Sequence, residues 1–129
     1  MILKRKYATA GVLGGSLIAS LGMVGTAQAA TPTSVCGSGY TVKDTMPVGD
    51  GPSATIYLLR DGSKACVVTF KIGTAVGDSA YLKAWVSDGW GPVVDAGYYK
   101  YYAGPVKVTS SCVNWGGTYG GFQNDKIVC

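Results

Sequence analysis

From residue 39 onward, apolar and polar positions alternate in one short stretch after another, with glycine-rich breaks between them. A period of two is the mark of strands, whose side chains point alternately to opposite faces. "GYTVKDTM" (39–46) reads as a first strand and "GDGP" (49–52) as the turn after it. "SATIYLLR" (53–60) and "KACVVTFKI" (64–72) flank "DGS", a strong hairpin signal because Asp-Gly tolerates positive φ. In the second of these strands Cys66, Val68, Phe70 and Ile72 share one face and are expected to form core, with Ala65, Val67, Thr69 and Lys71 opposite. "SAYLKAWVS" (79–87) groups Leu82, Ala84 and Val86 on one face and Tyr81, Lys83 and Trp85 on the other, which the lysine marks as wet.

"DGWGP" (88–92) is a turn carrying Trp90, and a tyrosine strand is expected at 97–103. Alternation there turns Tyr98, Lys100 and Tyr102 outward and Tyr99 and Tyr101 inward. "GPVKVTSSCVNW" (104–115) opens on a proline, which suits a strand entry or an edge. "GGTYGGF" (116–122) reads as a loop and "NDKIVC" (124–129) as a closing strand. Strands at this spacing with turn signals between them predict an all-β fold, a small antiparallel β-sandwich or barrel of about seven or eight strands.

The first residues follow a different pattern. Lys4, Arg5 and Lys6 precede an apolar run from Ala8 to Ala27, and Ala27, Gln28 and Ala29 form an A-x-A site. This is the layout of a helical secretory signal peptide (1–29) cleaved after Ala29, leaving one domain at 30–129. Gly11, Gly14, Gly15, Gly22 and Gly25 thin the apolar run, which argues against a membrane anchor, so no integral span is expected after cleavage. The segment "ATPTS" (30–34) is expected to be loose. Without the three leader cations, eight basic residues face seven aspartates, and most of the whole-chain charge of +4 belongs to the leader. No basic stripe remains to suggest a nucleic-acid partner.

Cys36, Cys66, Cys112 and Cys129 are an even set in a small exported chain, which predicts two disulfides. With no histidine and no C-x-x-C, a metal site is not assigned. Of the possible pairings, Cys36–Cys66 and Cys112–Cys129 join neighbours along the chain, and each contributes about 3–4 kcal/mol in the chain-entropy picture.

Absent histidine and glutamate also exclude every Ser-His and Cys-His arrangement. Asp88 and Asp95 flank Trp90, the one layout suggestive of a glycosidase pair, but both read more simply as turn residues near a strand. No catalytic residue and no cofactor is assigned. The rings are the remaining resource, since Tyr and Trp combine an apolar body with a polar tip. Tyr81, Trp85, Trp90, Tyr98, Tyr102 and Trp115 are the candidate binding surface.

"VCGSGYTV" (35–42), "CVVTF" (66–70), "AYLKAW" (80–85), "DAGYYKYYAGPV" (95–106) and "CVNWGG" (112–117) occur in this order. Together they resemble the spore-associated protein A family of filamentous, spore-forming Gram-positive bacteria. The resemblance implies a small exported protein found with the spore or aerial surface, and it carries over no catalytic residue. The expected partner is the spore or cell-envelope surface, with a structural or binding role. The alternative is a carbohydrate-binding module for cell wall or chitin built on exposed Tyr and Trp. A secreted protein inhibitor is a further reading, for which no reactive loop stands out. A domain this small depends on its bridges. Excess reductant is therefore expected to lower the melting temperature sharply, and an unchanged melt contradicts the disulfide assignment.

Overall fold

A computed structural model describes residues 29–129, of which residues 31–129 form the folded unit. The predicted leader, apart from Ala29, lies outside the described residues. Eight strands follow one short helix: α1 (Pro32–Cys36), β1 (Thr41–Val48), β2 (Ala54–Asp61), β3 (Lys64–Lys71), β4 (Ala80–Ser87), β5 (Pro92–Tyr99), β6 (Tyr102–Thr109), β7 (Val113–Tyr119) and β8 (Phe122–Val128). They form two four-stranded antiparallel sheets, ordered β1-β2-β3-β6 and β5-β4-β7-β8. The fold is a β-sandwich. Among the described residues no helix is long and apolar enough to cross a membrane.

Several local expectations change. The segment read as a loose leader is helical from Pro32, because Thr31 and Ser34 cap each other's backbone N–H and proline suits the first helical position. The tyrosine strand is two strands. β5 ends at Tyr99 and β6 begins at Tyr102 in the other sheet, so Lys100 and Tyr101 are the crossing between sheets. Alternation breaks at that crossing, and Tyr101 is 57% exposed instead of inward. The supposed loop at 116–122 is mostly strand: β7 runs through Gly116 and Gly117 to Tyr119, and only Gly120 and Gly121 turn.

The core lies between the sheets, with Ile56, Leu58 and Val67 from the first meeting Leu82, Val86 and Trp115 from the second. β3 presents the face opposite to the one expected. Ala65, Val67, Thr69 and Lys71 point into the sandwich, while Cys66 and Val68 point outward and are buried with Leu59 and Cys36. The physical reason is the Cys36–Cys66 disulfide, which seats α1 on the outer face and makes it a second, smaller core. The other bridge joins Cys112, just before β7, to Cys129, just after β8.

Thr69 is fully buried, and its hydroxyl donates to the Lys83 carbonyl of the opposite sheet at 2.9 Å. The backbones can come this close because Gly117 has no side chain. A Cβ there would lie 2.8 Å from the Lys83 carbonyl oxygen and 2.9 Å from Ile56 Cγ1, with Thr69 Oγ1 closer still. Along one open side of the sandwich, Lys126 Nζ meets Asp44 Oδ2 at 2.8 Å and Asn124 Nδ2 donates to the Pro47 carbonyl at 3.0 Å. The ammonium beside Asp44 holds its carboxyl below the ordinary carboxylate value.

Gly117→Ala is expected to force the sheets apart and to lower stability by about 1–3 kcal/mol. The urea midpoint reads this directly, and an unchanged midpoint contradicts the close approach.

Candidate functional site on the outer face of the second sheet

On β4, Tyr81, Lys83, Trp85 and Ser87 alternate with the buried Leu82, Ala84 and Val86 and so point away from the core. Register extends this face sideways. Tyr81 is paired with Tyr98 on β5, and Trp85 with Val94 on β5 and Gly116 on β7. The Tyr81 and Tyr98 rings meet edge to face, 5.8 Å apart at 67°. Tyr98 is 76% exposed.

Gly116 decides how Trp85 sits. A Cβ at Gly116 would lie 3.0 Å from Trp85 Nε1 and 2.5 Å from the Asn124 carbonyl oxygen. Only bare backbone fits, and the indole leans across it. Beside the ring runs an open trough of about 320 Å³, lined by Lys83, Trp85, Ser87, Pro92, Val94 and Asn114. It offers a flat ring with an ammonium, a hydroxyl and an amide around it.

The six candidate aromatics are divided by the fold. Tyr81, Trp85 and Tyr98 share this face. Trp90 stands 94% exposed on the β4–β5 turn, where Asp88 Oδ1 accepts its backbone N–H at 2.9 Å. Tyr102 belongs to the other sheet, where it stacks on Phe70 at 4.9 Å and Phe70 meets Tyr57 edge to face at 6.1 Å. Trp115 is completely buried, because alternation on β7 turns it into the inter-sheet core, and it presents no surface. Ser87, Asn114 and Gly116 were not singled out from the sequence. What marks Gly116 is its pairing with Trp85 across two strands, a register that is not legible before the fold is known.

The aspartates flanking Trp90 are used in the architecture. Asp95 faces inward, accepting the Tyr99 hydroxyl on Oδ1 at 2.5 Å and the Gly104 backbone N–H on Oδ2 at 2.8 Å. It thereby ties β5 to the start of β6 across the sheet crossing. The Tyr99 ring lies over Gly97, where a Cβ would come within 3.2 Å of it. The hydrogen bond to Asp95, helped by burial and by the carboxylate charge, raises the Tyr99 hydroxyl above its ordinary pKa. A larger cavity, about 680 Å³, opens near Lys43, Arg60, Ser63 and Ser111. Its most strongly charged wall is already engaged, since the Arg60 guanidinium donates to the carbonyls of Ser63, Ser110 and Ser111 and ties the β2–β3 turn to the segment before β7. Among the described residues, no group of three or more His, Cys, Asp or Glu side chains gathers as a metal site would require.

Fold and site together define, among the described residues, a twice-stapled antiparallel β-sandwich with an open aromatic face on its second sheet. The chain belongs to the Spore-associated protein A family. It is 37% identical over 122 residues to Spore-associated protein A of Streptomyces coelicolor, an alignment that covers 88% of this chain and 77% of that protein. No protein-family model and no solved structure matches the chain.

The Asp95 tie makes a pH-dependent prediction. A hydroxyl pKa raised by folding contributes stability that is complete below about pH 10, the ordinary tyrosine value, and is lost as pH climbs through the raised value. Tyr99→Phe is expected to cost about 1–2 kcal/mol near neutrality and to flatten the alkaline fall in stability. Denaturation curves across the alkaline range check this, and parallel curves for the two proteins contradict it.

Proposed function

We propose that this protein is a non-catalytic component of the spore or cell-envelope surface, exported through the predicted leader and held there noncovalently by the outer face of β5-β4-β7-β8. The observation that carries the reading is the contrast between the two outer faces. On the first sheet α1 covers one part, and Tyr57, Phe70 and Tyr102 pack on one another. On the second sheet Tyr98 and the Trp85 trough are open to solvent. An aromatic face left open is a natural contact surface, because burying it removes apolar area from water while the polar tips keep their partners. The name of the Streptomyces relative, Spore-associated protein A, supports the location. The non-catalytic role is supported by a composition without His or Glu and by the structural use of Asp88 and Asp95.

Fractionation of spores tests the reading. The wild-type protein is expected to sediment with spores and to be released by mild detergent or salt. The double variant Trp85→Ala/Tyr98→Ala is expected in the culture fluid. Wild-type protein found only in the culture fluid contradicts envelope association.

A further inference from the structure

We propose that the ligand of this face is a linear polysaccharide lying along β4, with pyranose rings stacked on Trp85 and on the Tyr81–Tyr98 pair. The inference rests on the envelope-surface reading above and names the chemistry of what that surface holds.

Three features select this ligand. The first is spacing. Tyr81 and Trp85 lie on one face of one strand, four residues apart, which places the two platforms about 13 Å from each other along β4. A single ring covers one of them, and an extended chain running along the strand covers both. The second is chemistry at the ring. A pyranose has an apolar C–H face and a rim of hydroxyls. The trough supplies an indole whose Nε1 edge rests against the bare backbone of Gly116, with Lys83, Ser87 and Asn114 beside it to donate and accept hydrogen bonds. The third is charge. Alternation leaves Lys83 and Asp125 as the charged residues whose strand positions point outward on this sheet, one of each sign. A polyanion such as a nucleic acid needs several neutralising cations along its track, and a nearly uncharged polysaccharide needs none.

A protein partner fits less well. Protein interfaces are anchored by side chains that fill desolvated pockets. Here the aromatic residue lines an open trough, and Lys83 lies between the two platforms along β4.

The test uses the disulfide-intact protein on two insoluble matrices stripped of protein, peptidoglycan sacculi and chitin, with soluble N-acetylglucosamine oligomers of increasing length as competitors. Wild-type protein is expected to be retained on at least one matrix, and competition is expected to strengthen with oligomer length until both platforms are spanned. Trp85→Ala, at a partly buried position and with its melting temperature measured alongside, is expected to weaken retention about tenfold. Trp85→Tyr keeps a ring and is expected to recover most of it, and Tyr101→Ala, at the sheet crossing, to bind as the wild type does. Retention unaffected by Trp85→Ala overturns the placement. Failure on both stripped matrices, with intact protein-bearing spores still holding the wild type, overturns the polysaccharide and makes the ligand a protein while envelope attachment stands. Failure on intact spores as well overturns both readings.

Discussion

The disulfide between Cys36 and Cys66 sets the direction in which β3 faces, and the rest of the sandwich follows from that choice. With Cys66 turned outward to reach α1, Ala65, Val67, Thr69 and Lys71 turn inward, and β3 becomes a strand buried on both sides. The first sheet therefore has two cores, one against the second sheet and one beneath α1. Among the described residues nothing comparable covers the outer side of the second sheet, where Tyr98 remains largely exposed. The covalent link that completes one half of the molecule thus leaves the other half with the open surface.

Two adjacent glycines on β7 then serve opposite sides of the second sheet. Gly117 points inward and lets the sheets approach until Thr69 bonds to the Lys83 carbonyl. Gly116 points outward and leaves the bare floor across which Trp85 leans. A side chain at either position meets backbone atoms within 3 Å. The same two-residue step that joins the halves of the sandwich also shapes its candidate contact surface. In the middle of β5, across β4 from Gly117, the Asp95 carboxylate holds the crossing between sheets by accepting from Tyr99 and Gly104 together.

Much of this was legible in the sequence, and the exceptions share a cause. Strand class, the "DGS" hairpin and the outward face of β4 follow from local alternation and turn chemistry, which act within a few residues. The disulfide pairing favoured from chain proximity is the one the structure contains. The face of β3 was not legible, because both of its faces are apolar and the deciding bond comes from 30 residues upstream. The split of the tyrosine run was hidden for a similar reason. Alternation describes a strand but does not reveal where the chain leaves one sheet for another. Gly116 and Gly117 resembled a loop because glycine in a strand is unusual unless something approaches closely, and here it is the opposite sheet on one side and an indole on the other. Trp115 was grouped with the surface aromatics for want of a register that would place it inside.

The most direct measurement of the central claim is side-chain footprinting of the protein while it is attached to the spore wall, comparing oxidation of each Tyr, Trp and Phe with that of the free protein. Protection is expected at Tyr81, Trp85 and Tyr98, with Tyr101 labelled equally in both states. Protection concentrated instead at Tyr57, Phe70 and Tyr102, on the outer side of the first sheet, would contradict the account.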